Sequence, residues 1–294
     1  MVVRVTKLGG TASDITVGRV SHGLMMMTAS PVASSDEDCF AAIKAGVDAL
    51  PAGAKMFLNS GEFYSTTWGT ENLELLARFY AKYPDYVDKT FLSVKGGVRG
   101  REPDSSMENL RKSMDLFEPA RIDPAIPIEE AMANLICRAE TLRRAHAVSP
   151  ITAAEIEVSI WEYKEEQKRP LGKGFLTGKI TSPADVPEGD HRKTFARFSE
   201  ANMAHNMALV SALAAVAAKK GVTPGQLSIA WVAALGEHVI PLPGSSRATR
   251  TLENCAAGDV ELSADEFAEV TEIGEQADVR GDRMAGGKPE YLWG

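Results

Sequence analysis

KMFLNSGEFY, residues 55–64, decides the fold. Residues 55–59 read as a short apolar strand, and from its last residue the chain delivers an amide, a carboxylate and a phenol (Asn59, Glu62, Tyr64). FLSVKGG (91–97) repeats the arrangement: a strand over 91–95 ends on Lys95 and two glycines. Between them, 71–82 has helical spacing. Working outward, 17–27 reads as a strand and 36–50 as a helix with Ser35 at its N-cap. A helix over 106–112 precedes a strand over 114–120, a helix starts at 127–135, and 151–159 contains a strand. Thr223 caps a helix with Pro224 at its first position, running to about Leu235. A strand over 238–241 and a helix from about Ser246 follow. Strand–helix alternation at this spacing means parallel α/β architecture, either a doubly wound sheet or a (β/α)8 barrel. A dinucleotide-binding sheet places G-x-G-x-x-G after an early strand, and none stands there. Polar motifs sit instead after several different strands, which is the barrel pattern.

The 294 residues are 44% hydrophobic and 24% charged, so one barrel over 1–294 fits better than a disordered chain. Net charge is −8, which argues against a nucleic-acid partner. Cys39, Cys137 and Cys255 lie far apart, with no Cys-x-x-Cys pair and no histidine spacing that suits zinc; no metal is expected, and the odd count points to a reducing compartment. The N-terminus lacks a signal-peptide apolar stretch, and the longest nearly apolar run, 208–218, is too short for a membrane span and ends as a helix at Lys219, Lys220 and Gly221. The expectation is a cytoplasmic protein with neither membrane nor nucleic-acid partner.

An ammonium beside a phenol stabilises the phenolate and makes the phenol a better proton donor. Lys95 and Tyr64, on adjacent strand ends, can form such a unit, although singly each reads more simply as a rim tyrosine and a solvated lysine. PGSSRATRTLEN (243–254) weights the pair: backbone N–H groups and hydroxyls at a helix start, with Arg247 and Arg250, suit a phosphate. In isolation it reads as well as a helix cap. LGKGFLTG (171–178) permits close backbone approach to a ligand but does not fit the P-loop spacing. His22, His146, His191, His205 and His238 read as structural or surface residues, Glu129 and Glu130 as first-turn helix carboxylates, and Met25, Met26 and Met27 as packing.

Six motifs in order, GLMMMT at Gly23, NSGEFY at Asn59, SVKGG at Ser93, DLFEPARIDP at Asp115, PLGKGFLTG at Pro170 and PGSSRATRTLEN at Pro243, make the chain resemble the aldo-keto reductases, NADPH-dependent barrel enzymes that reduce carbonyls. The GEFY and FEPARIDP wording is most similar to fungal pyridoxal reductases, which act in vitamin B6 metabolism. The resemblance implies hydride transfer from NADPH to an aldehyde, pyridoxal above others, with Tyr64 as general acid and Lys95 as its partner. Alternatives are a general aldehyde reductase and a cofactor-binding regulatory protein like the potassium-channel β-subunits; oligomeric state is open. It also implies that Gly23, Leu171, Gly172, Lys173, Gly244, Ser245, Ser246, Arg247, Arg250, Glu253 and Asn254 contact the cofactor, and that Phe63, Ala120 and Arg121 line the substrate pocket. Asn59 falls where most of the family has an aspartate and Ala120 where most have a histidine. Asn59 can orient Lys95 but cannot offset its charge, so Lys95 is expected to act the more strongly on Tyr64. Glu155 falls where a glutamine usually meets the nicotinamide amide.

Two family strands find no room: Ile136 joins Cys137, and Lys168 joins Arg169, where the strand-five and strand-seven segments would sit. A barrel without them exposes unpaired edges. The shortfall reads as segments absent at those junctions, with a naturally truncated barrel as the alternative.

Overall fold

A computed structural model describes residues 2–96, 98–99, 102–103, 116–119, 152–155, 159–160 and 171–281. The expected helices over 106–112 and 127–135, the two short junctions, Cys137, His146, Ala120 and Arg121 lie outside the described residues.

An antiparallel hairpin, β1 (Val5–Lys7) and β2 (Thr16–Gly18), opens the chain. β3 (His22–Gly23), the single turn α1 (Met25–Thr28) and α2 (Asp36–Asp48) follow. β4 (Met56–Gly61), α3 (Glu71–Lys82) and β5 (Thr90–Gly96) come next. A two-residue pair, β6 (Val98–Arg99) with β7 (Glu102–Pro103), precedes β8 (Leu116–Pro119). The C-terminal half contributes α4 (Glu200–Lys220), α5 (Pro224–Ala234), α6 (Ala248–Ala256) and α7 (Ala264–Gln276).

β3, β4, β5 and β8 form one parallel sheet in that order. On its other side β3 meets the segment before α6 through a parallel bridge, Gly23 to Gly244. The described strands are thus an arc of a parallel barrel. Period-two alternation sorts its side chains. Met56, Leu58, Leu92 and Val94 face outward and pack with Phe40, Ile43, Leu75 and Phe79 of α2 and α3. Phe57 and Phe91 face the other way, against Leu8, Ile15, Val17 and Ile240, so the hairpin closes the barrel floor. Asn59, Gly61, Ser93 and Lys95 continue that inward row toward the C-terminal strand ends.

Most expected helices stand where the sequence places them. Ser35 Oγ accepts the Asp38 N–H (3.1 Å) and Thr223 Oγ1 the Gln226 N–H (3.1 Å). Gly221, at φ 73°, ends α4 in the left-handed conformation that glycine adopts without strain. α4 is longer than its apolar run: 21 residues, apolar enough to cross a membrane by length and composition. Its Met203, Leu209, Val210, Leu213 and Val216 are buried against Phe175, Leu227, Trp231 and Val270, which makes it a core helix of the second apolar cluster.

Two strand expectations need correction. Residues 17–27 are not one strand: β2 ends at Gly18, β3 is two residues long, and 25–28 are helical. Leu24, at ψ −4°, leaves the extended region, and its N–H bonds Asn59 O (3.0 Å). Residues 238–241 form no strand. Pro241 and Pro243 lack the N–H a ladder needs, so they dock by accepting bonds from Ser21 N (2.9 Å) and Gly23 N (3.0 Å). Of the expected strand over 151–159, residues 151 and 156–158 lie outside the described residues.

Candidate active site

Register builds the centre. β4 and β5 align Asn59 with Ser93 and Gly61 with Lys95, which brings Asn59, the turn after Gly61, and Lys95 to one end of the sheet. The turn closes through Glu62 N to Lys95 O (2.8 Å) and Tyr64 N to Gly61 O (3.1 Å). A Cβ on Gly61 would stand 3.0 Å from the Tyr64 ring, so glycine is what lets the ring lie against the strand end. Lys95 Nζ donates to Tyr64 Oη (2.9 Å) and to Asn59 Oδ1 (2.6 Å). Tyr64 and Lys95 are 7% and 6% exposed, so neither is the solvated rim residue each resembles singly. The expected Tyr64, Lys95 and Asn59 unit is assembled.

One expectation about it fails. Lys95 does have a carboxylate neighbour: Glu155 Oε2 lies 2.5 Å from Nζ. The charge that Asn59 cannot balance is met by a side chain distant in sequence, which the reading had set against a nicotinamide amide.

Sequence reasoning also missed the bracing. Asn72 of α3 is fully buried; it donates to Leu24 O (3.0 Å) and Thr28 Oγ1 (2.7 Å) and accepts from Ser60 Oγ (2.6 Å). Thr28 Oγ1 in turn donates to Tyr64 O (2.6 Å). One amide therefore ties α1, β4 and the Tyr64 turn together. An asparagine in the first turn of a helix reads as ordinary polar sequence, and no local signal marks it. Outside the centre, Phe63 meets Tyr64 edge-on (centroids 5.3 Å) and stacks on Trp68 (6.0 Å, 25°), which is 48% exposed. This aromatic row runs from solvent to the phenol.

The second group of expected residues surrounds the start of α6. Ser245 is buried, and its Oγ donates to Arg247 O (3.0 Å); Ser246 is half-buried, and Gly244 and Arg247 are exposed. Arg247 is the N-cap without a side-chain cap bond. Neither guanidinium, Arg247 nor Arg250, makes an ion pair or hydrogen bond among the described residues. Two uncommitted guanidiniums at an uncapped helix N-terminus are a donor set that fits a phosphate. Leu171 packs against the cluster of Val20, Ile229 and Ala257, the last being the C-cap of α6, and the loop turns through left-handed Gly172, Lys173 and Gly174. Asn254 is buried. Glu253 is already engaged, accepting from Thr223 Oγ1 (2.9 Å) and pairing with Lys179 (3.5 Å). Among the described residues no three His, Cys, Asp or Glu side chains converge as a metal site. Cys39 and Cys255 are free and buried, and burial pushes their thiols up to about 11 and about 12.

His22 joins the two groups. It is buried, its Nε2 bonds Ser245 O (2.8 Å), and burial pushes it down to about 4 from 6.5. The folded state keeps it neutral while the unfolded chain takes up a proton below pH 6.5. Its effect is absent above pH 6.5, grows as pH falls toward 4, and is constant below that. The full loss is about 3 kcal/mol. Urea unfolding at pH 7 and pH 5 should show a fall of roughly 2 kcal/mol, much reduced in His22→Gln. An equal fall in both proteins would remove His22 as the cause.

Comparisons with known proteins give the family and the fold. Residues 133–275 match the profile of the Aldo/keto reductase family. The aldo-keto reductase str7 of Strobilurus tenacellus is 32% identical over 86% of this chain and 86% of its own length. An aldo-keto reductase of Schizosaccharomyces pombe, yakc, named for NADP(+), is 32% identical over 76% of this chain and 73% of its own. The solved glycerol dehydrogenase AKR11B4 of Gluconobacter oxydans superposes with a TM-score of 0.72 over 94% of this chain and 96% of that one, at 18% identity, a likeness of fold. With a (β/α)8 fold and relatives at this identity and coverage, the chain belongs to the aldo-keto reductase family.

Proposed function

We propose that the protein is an NADPH-dependent carbonyl reductase that converts an aromatic aldehyde, pyridoxal above simpler ones, to its alcohol. The observation that carries the reading is the buried hydrogen bond from Lys95 Nζ to Tyr64 Oη at the C-terminal strand ends. NADPH, when bound, supplies the hydride to the carbonyl carbon. Tyr64 gives its phenolic proton to the carbonyl oxygen as negative charge develops there. Lys95 stabilises the resulting phenolate, and Asn59 fixes the direction of the ammonium. The residues that would hold the cofactor are Gly23, Leu171, Gly172, Lys173 and the row from Gly244 to Arg250, with Glu253 and Asn254 behind it. Arg247 and Arg250 favour a cofactor with the extra 2′-phosphate. The Phe63–Trp68 row offers a planar ring a face to stack on, which supports an aromatic substrate.

Steady-state loss of reduced cofactor tests the proposal. NADPH is expected to exceed NADH by about 10–100-fold in kcat/KM, a margin that Arg247→Ala with Arg250→Ala removes. Pyridoxal is expected to exceed benzaldehyde. Equal rates for the two aldehydes would make the enzyme a general reductase. Cofactor binding without turnover of any aldehyde would overturn the proposal in favour of a regulatory cofactor-binding protein.

A further inference from the structure

We propose that Glu155 is the positioning carboxylate of the proton-donating pair, and that it sets the charge on the Lys95–Tyr64 unit from a segment outside the strand that carries Asn59. The inference rests on Tyr64 being the proton donor.

An ammonium has three N–H donors and no acceptor. Among the described residues, Lys95 Nζ meets Asn59 Oδ1 at 2.6 Å, Tyr64 Oη at 2.9 Å and Glu155 Oε2 at 2.5 Å. The Lys95 side chain is 8% exposed and that of Glu155 22%. A cation at that depth is costly unless an opposite charge is close. The amide of Asn59 and the phenol of Tyr64 give it dipoles, and Glu155 gives it a charge.

The charged groups described around the phenol give the direction of the effect, with Glu118 of β8 at the register position of Lys95. β5 presents Lys95. β4 presents Asn59, which does not ionise. The turn presents Tyr64 itself and Glu62, whose backbone N–H is held by Lys95 O. The 152–155 segment presents Glu155. Among these described residues, a lysine paired with a carboxylate pulls only moderately on the phenol. The same lysine with Glu155 removed pulls harder, and the phenol ionises closer to neutral pH. A tyrosine already ionised at working pH has no proton to give. Glu155 thus keeps Tyr64 protonated, a task that a carboxylate at position 59 would perform equally well.

That equivalence is the test. Tyrosinate absorbance is titrated in the cofactor-free protein, with Tyr64→Phe run in parallel to assign the signal. Glu155→Gln is expected to lower the Tyr64 ionisation by about one unit or more and to move the basic limb of the kcat profile by the same amount. Asn59→Asp combined with Glu155→Gln, which returns the carboxylate from the other side, is expected to bring both back toward the parent. Coincident titrations of the parent and Glu155→Gln would overturn the inference. If Glu155→Gln fails to fold, the double variant decides: folded with a parental Tyr64 titration supports the inference, and any other result overturns it. A parent that turns over no aldehyde would defeat the functional reading, while the titration would still report on the Glu155–Lys95 pair.

Discussion

Tyr64→Phe is expected to slow carbonyl reduction by roughly 10²–10⁴-fold, the contribution of a positioned proton donor, with NADPH affinity and folding close to the parent. The substitution removes one oxygen and little else. The ring keeps its place against Gly61 and its edge contact with Phe63. Thr28 Oγ1 still donates to the backbone carbonyl of residue 64, so the turn keeps its brace. Lys95 loses one oxygen neighbour and retains Asn59 and Glu155. The row from Gly244 to Arg250 leads into α6 from the segment bridged to β3, away from the Tyr64 turn, which is why binding should survive. Fluorescence titration of NADPH beside single-turnover reduction separates the two effects. A chemical step within tenfold of the parent would mean that the proton comes from elsewhere.

The sequence revealed the centre because its parts are local. NSGEFY and SVKGG each place their functional residue at a strand end, and parallel pairing in register is enough to bring Asn59, Tyr64 and Lys95 together. The capped helices were legible for the same reason: Ser35 with Asp38, and Thr223 with Gln226, are partners three residues apart. What stayed hidden depends on contacts far apart in sequence. Glu155 in AEIEVS looks like any strand-flanking acid until it meets Lys95. Asn72 becomes a brace only where Leu24, Thr28 and Ser60 converge on it. The long strand expected over 17–27 failed because apolar content gave no sign of the two turns in it, one after Gly18 and one at Leu24.

The same stretch hides Arg19, for which the largest expected stability loss follows. Arg19 is 8% exposed, and its two terminal nitrogens donate to four backbone carbonyls: Ala233 (2.5 Å), Gly236 (2.7 Å), Glu237 (2.9 Å) and Val239 (2.6 Å). These belong to the C-terminal end of α5 and the loop after it. A helix end leaves its last carbonyls without partners and carries partial negative charge, so a fixed planar cation there answers both needs. Burial and the nearby Arg4 hold the guanidinium below its ordinary value. Arg19→Met keeps much of the stem packing and strips four carbonyls of a charged donor. Unfolding free energy should fall by about 3–5 kcal/mol, read from the urea midpoint at unchanged slope. Arg19→Lys should recover part of that, since three N–H groups on one nitrogen cannot span four acceptors. The loop held by Arg19 leads through Pro241 and Pro243, docked on β3, to Ser245 and Arg247. Loosening it should therefore raise the KM for NADPH more than it lowers kcat, because the Tyr64–Lys95 pair stands on β4 and β5. A loss under 1 kcal/mol, or a fall in kcat at constant KM, would show that Arg19 does not hold the loop beneath the proposed cofactor site.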